Sequence, residues 1–237
     1  MSAGDVFRQG VLEMSTSPVA AAERTAAWGD LLTNRIAVGL SVILMLMLLK
    51  DMIKLAPSLL FSLDRARGSV SLEHNVSLAR MRNSVALAFV LPFSLLLDRF
   101  AVYRPDFWAG IPPMWSAAAT LGTVLCYALL RRVMHAAIRP KRLSQTARSA
   151  CLKCAYDFFI AMSIVSLVAV GALSVSGVGD EVIRVVILLI ITSFFLFFLV
   201  REGQILNSTC SHFSTFLYLC GLEIPPAAAV VASAVLF

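Results

Sequence analysis

Val182–Val200 reads VIRVVILLIITSFFLFFLV, and Arg184 is its one charged residue. A helix of this length rises about 28 Å, close to the thickness of the hydrocarbon layer of a bilayer. Phe and Leu dominate the run and small residues are few, which suits lipid contact better than close helix packing. It is apolar on every face. That excludes an amphipathic surface helix and the alternating strand of a membrane β-barrel. The run stops at Arg201-Glu202-Gly203-Gln204, where polar chemistry begins.

Similar runs recur upstream and downstream. They cover about Ile36–Leu49 (lengthened by Leu31 and Leu32), Asn83–Leu97 with a kink at Pro92, Met114–Leu130, Tyr156–Ser176 and Phe213–Phe237. Ala118 and Gly122 stand four apart in the third span and permit close helix approach. The whole chain is 59% hydrophobic and 14% charged, against about 25% charged in soluble domains. The expected fold is therefore all-α, a polytopic transmembrane helix bundle of about six spans. Residues 1–30 read as a flexible N-terminal tail with a short helix through Ala20–Ala27. Residues 31–237 read as a single transmembrane domain. Two pieces of the first long loop carry their own expectations. Leu55–Leu63 is too short to span, contains Pro57, and reads as interfacial or re-entrant. Ser71–Arg82 reads as a short amphipathic helix. Tyr103, Phe107 and Trp108, among Pro105, Pro112 and Pro113, read as a compact interfacial loop.

The net charge of +6 and pI of 9.4 come from basic residues that sit between apolar runs. Topology explains them, and nucleic acid is not an expected partner. With six spans, loops one, three and five hold 14 of the 20 Lys and Arg. The positive-inside rule then puts those loops in the cytoplasm and both termini outside. The most basic loop, Arg131–Lys153, should favour anionic lipid headgroups. No secretory signal is evident, since the first apolar run ends in Lys50-Asp51 without a small-residue cleavage site. Five cysteines do not make a disulfide framework.

The chemistry concentrates near the end of the chain. Glu223 sits about 15 Å into the last span, near the bilayer middle, and Pro225-Pro226 follows it. The prolines remove backbone donors and break the helix beside a carboxylate. Such a carboxylate must be neutral, paired or wet. Broken helices hold ions in transporters, but a buried acid that ties helices together is the plainer reading. Arg201 and Gln204 complete this candidate polar site, with Arg201 either paired to Glu223 or snorkelling to the phosphates. Cys151, Cys154, Cys210 and His212 fall on one side of the membrane and make a weak Cys3His metal candidate. His74 and His135 read as solvated residues of basic loops. No catalytic motif and no cofactor motif is present.

The run Arg201…Gln204-Ile205, then Phe213-Ser214, Phe216-Leu217-Tyr218-Leu219-Cys220 and Leu222-Glu223-Ile224-Pro225, resembles the C-terminal signature of a Bacteroidota membrane-protein family known only as a domain of unknown function. Gly221, Pro226 and the long N-terminal tail stand outside the pattern. The resemblance implies six helices in an inner membrane. It supplies no activity and no catalytic residue. The leading expectation is a scaffold or assembly partner of an envelope complex, with membrane or envelope proteins as partners. The alternatives are a small transporter or proton/ion-coupled channel using Glu223, or a lipid-modifying enzyme. The absence of two inverted repeats counts against the transporter. The scarcity of His/Asp/Glu clusters counts against the enzyme.

Overall fold

The computed structural model describes residues 28–64, 76–137, 145–207 and 212–236. The long helices are α1 (Leu32–Asp64), α2 (Val76–Arg99), α3 (Pro113–Ala137), α4 (Gln145–Val175) and α5 (Asp180–Asn207). The last span is split into α6 (His212–Leu222) and α7 (Ile224–Leu236). No strand occurs among the described residues. Among the described residues, six segments are long and apolar enough to cross a membrane, the sixth being His212–Ala234. The chain is an all-α, multi-pass membrane protein.

Helix α2 is the centre of the bundle and packs against α1, α3 and α4. Val85, Phe89, Phe93 and Leu96, at helical spacing, are all buried. Val85 and Phe89 share a cluster with Leu55 and Leu59 of α1 and Ile160 of α4. Phe93, Leu96 and Leu97 share another with Ile183 and Ile187 of α5. Phe93 meets Phe159 edge to face at 5.4 Å. Elsewhere the apolar surface faces outward, as a lipid-facing surface must. Leu189, Leu196 and Phe197 of α5 are all exposed.

Two loop expectations are corrected. Leu55–Leu63 is not a separate interfacial or re-entrant segment, because α1 continues through Pro57 to Asp64. Leu55, Leu59 and Ser62 recur at i, i+4 and i+7, and that stripe is buried. Tertiary packing of the stripe outweighs the backbone bond that Pro57 removes. The amphipathic helix expected over Ser71–Arg82 is, from Val76 onward, the first turns of the second span. Its Arg82 is 1% exposed and lies 3.8 Å from Asp157. Residues 71–75, with His74, lie outside the described residues, as do residues 1–27 of the tail with Ala20–Ala27.

At the opposite end of α2, Asp98 is a collecting point. It accepts from Trp28 Nε1 at 2.6 Å, Ser116 Oγ at 3.1 Å and Thr120 Oγ1 at 3.2 Å. The connection from α2 to α3 is compact, with a 3-10 helix at Asp106–Gly110 and Tyr103 packed edge to face on Trp108. Tyr103 also bonds Ser233 of α7 at 2.7 Å.

The break in the last span falls at Glu223, which belongs to neither helix. Its own N–H still bonds Leu219 O at 3.1 Å. Pro225 and Pro226 have no N–H to offer the carbonyls of Gly221 and Leu222, so α6 ends there. The same residues are well placed in the first turn of α7, where N–H groups have no intrahelical partner anyway.

Candidate functional site

The site is built where α3, α5 and the α6–α7 junction meet. Arg131 and His135 stand four apart in α3 and so share one face. Arg131 holds Glu223 with two parallel bonds, Nε to Oε2 and Nη2 to Oε1, each 2.7 Å. His135 Nε2 lies 2.6 Å from Glu223 Oε1, and Tyr218 OH lies 2.9 Å from His135 Nδ1. Arg131 also reaches Leu152 O of α4 at 3.4 Å and covers the Phe198 ring of α5 at 5.3 Å. One guanidinium thus touches three other parts of the bundle, α4, α5 and the α6–α7 junction. Bidentate arginine–carboxylate pairing is among the stronger hydrogen-bonding arrangements.

Glu202 of α5 completes the cluster. It is 0% exposed, and neither carboxylate oxygen has a hydrogen-bond partner. Its ligating atoms, with those of His135 and Glu223, all lie within 4.8 Å of one another. Two carboxylates face one guanidinium, so one negative charge is left over. Two ionised carboxylates within 4.8 Å of each other repel by about 3.5 kcal/mol or more at an effective dielectric of about 20. The cluster therefore needs one more positive charge, from a proton or a cation. One imidazole and two carboxylates can ligate a metal ion. Arg131 already occupies both oxygens of Glu223, however. A single proton balances the charge without displacing it.

The sequence-selected residues scatter. Glu223 and Pro225 lie at the break, with Glu223 fully buried and paired. Its arginine is Arg131, which the sequence reading assigned to a basic loop. Arg201 instead donates to Gln204 Oε1 at 2.8 Å and to the carbonyl of Leu63, facing the end of α1. Arg201 is half-buried and Gln204 exposed. His135 is 1% exposed, against the expectation of a solvated loop residue. Of the Cys3His candidate, Cys151 and Cys154 are packed among Phe158, Phe198, Ile205 and Leu206. His212 is exposed at the start of α6 and Cys210 lies outside the described residues. The convergent donors among the described residues are His135, Glu202 and Glu223.

Glu223 falls midway along the sixth candidate span, His212–Ala234. Arg131 is six residues from the end of α3 and Glu202 five from the end of α5. Arg131 and Glu202 therefore lie within about 10 Å of those helix ends. Arg131, His135 and Glu202 were the residues missed. A 131/135 spacing continuous with the third span was the available signal for His135. No family model matches the chain, and neither the curated proteins nor the solved structures compared with it give a match.

Proposed function

We propose that this protein is a proton-coupled transporter or channel of the bacterial inner membrane, with Glu202 and Glu223 as its proton-exchanging site. The observation that carries the proposal is the buried Glu202 carboxylate, which has no hydrogen-bond partner beside a second carboxylate. Buried ionisable groups of this kind are costly in a membrane and mark ion or proton paths. His135 and the half-buried Tyr218 extend the cluster by hydrogen bonds toward the edge of the bundle. The helix break leaves Glu223 at a junction rather than locked in a helix interior. The positive-inside rule supports placing the cluster near the cytoplasmic face, with both termini outside. The C-terminal resemblance supports the inner-membrane assignment and membership of the six-span Bacteroidota family.

A second reading, a scaffold or assembly partner of an envelope complex, is favoured by Glu223 itself. Its carboxylate is fully engaged by Arg131 and His135, as a strut between helices would be. Anionic headgroups at Arg139, Lys141 and Arg142 suit either reading. The test is purified protein in vesicles with an internal pH dye. Under an imposed pH gradient the native protein should pass protons and Glu202→Gln should not, with both folded. Equal flux from the two proteins, or none from the native protein, would leave the scaffold reading in place.

A further inference from the structure

A separate feature lies on the outer surface of the bundle, between the end of α1, α4 and α5. It is a cleft of about 220 Å³ walled by Leu63, Phe158, Phe194, Phe197 and Val200, with Arg201 and Gln204 at one end. Phe194 to Arg201 spans about 10 Å along α5. The apolar wall thus runs along the membrane segment, and the polar pair sits where α5 nears its loop. Arg201 is oriented by its bonds to the Leu63 carbonyl and to Gln204 Oε1. With Oε1 engaged, Gln204 presents its amide N–H groups, so both polar side chains at the mouth offer donors. One cationic donor and one neutral donor above an aromatic trough complement an anionic head joined to an acyl chain.

We propose that this cleft is a binding site for an anionic phospholipid. The phosphate sits at Arg201 and Gln204, and one acyl chain lies along Phe194, Phe197 and Phe158. Charge complementarity selects the occupant, because a zwitterionic lipid brings its own cation to the arginine. The site is independent of the proton cluster. Glu202 faces the bundle interior, whereas Arg201, its neighbour in sequence, faces the cleft.

The test is native mass spectrometry of the full-length protein with equal amounts of phosphatidylglycerol and phosphatidylcholine of identical chains. The expected result is one retained phosphatidylglycerol, favoured about fivefold, the effect of one basic residue near a membrane surface. Arg201→Gln should bring retention to the phosphatidylcholine level, and Arg201→Lys should restore most of the preference. Val200→Trp, which fills the cleft, should lower retention of both lipids. Equal retention of the two lipids by the native protein would overturn the proposal and needs no variant. So would an unchanged preference in Arg201→Gln, or displacement of the lipid by millimolar inorganic phosphate, which would make this a free-anion site.

Discussion

Replacing each carboxylate of the cluster by its amide should give two unlike outcomes. Glu202→Gln removes an acid that has no hydrogen-bond partner. If that acid carries the balancing proton, the amide is nearly isosteric and neutral like it. Stability should then change by less than about 1 kcal/mol. If Glu202 were ionised instead, the variant would lose a repulsion of about 3.5 kcal/mol or more at a separation within 4.8 Å, offset in part by its lost attraction to Arg131, and would be the more stable protein. Glu223→Gln differs because it leaves Arg131, 7% exposed, without its anion. Breaking a buried pair from one side costs about 3–5 kcal/mol. The two variants should therefore differ by at least about 2 kcal/mol, with Glu223→Gln the weaker. The assay is unfolding in mixed micelles by sodium dodecyl sulfate titration, followed by circular dichroism. Equal destabilisation by the two substitutions would refute the division of the cluster into one paired and one unpaired acid.

Asp157→Leu should destabilise the bundle strongly, since it strips Arg82 and Ser62 of their acid. Adding Arg82→Met should recover most of the loss, as read by the same titration. Trp28→Phe should loosen the start of the chain, because the 2.6 Å bond to Asp98 is lost; limited proteolysis near residue 30 should speed up while the six-span core stays resistant. An alkaline phosphatase fused after Phe237 should be active, as expected for an outward C-terminus, whereas a fluorescent reporter that folds only in the cytoplasm and gives signal there would contradict the charge argument.

The spans were legible because a bilayer imposes one requirement on every residue of a long run. Val182–Val200 satisfies it without reference to any other part of the chain. The break at Glu223 was legible for a similar reason, since two adjacent prolines remove donors whatever the surroundings. The length of α1 was not. Pro57 and the flanking charges argue locally for an end, and only the fit of Leu55 and Leu59 to α2 and α4 overrides them. Partnership was the least legible property. Arg131 and Arg201 look alike in sequence, each following an apolar run. Which one meets Glu223 depends on how helices separated by dozens of residues rotate against each other. Glu202 was hidden by its neighbour, because Arg201-Glu202 reads as an exposed polar end while a helix turn sends the two residues in different directions.

The grip of Arg131 on Glu223 has a consequence for biogenesis. The two residues are 92 positions apart. At about 5–20 residues per second the acid emerges about 5–20 s after the arginine. During that interval α3 is in the membrane with a cation and no counter-ion, and the position of Arg131 near the end of α3 lets it reach the headgroups meanwhile. Arrival of Glu223 draws it inward, onto the Leu152 carbonyl and the Phe198 ring, and closes α3, α4, α5 and α6 around one another in a single event. The bundle is thus completed by its last span. A chain ending at Leu222 should keep Arg131 reachable by water-borne guanidinium reagents and be cleared by membrane proteases, while the full chain should protect it.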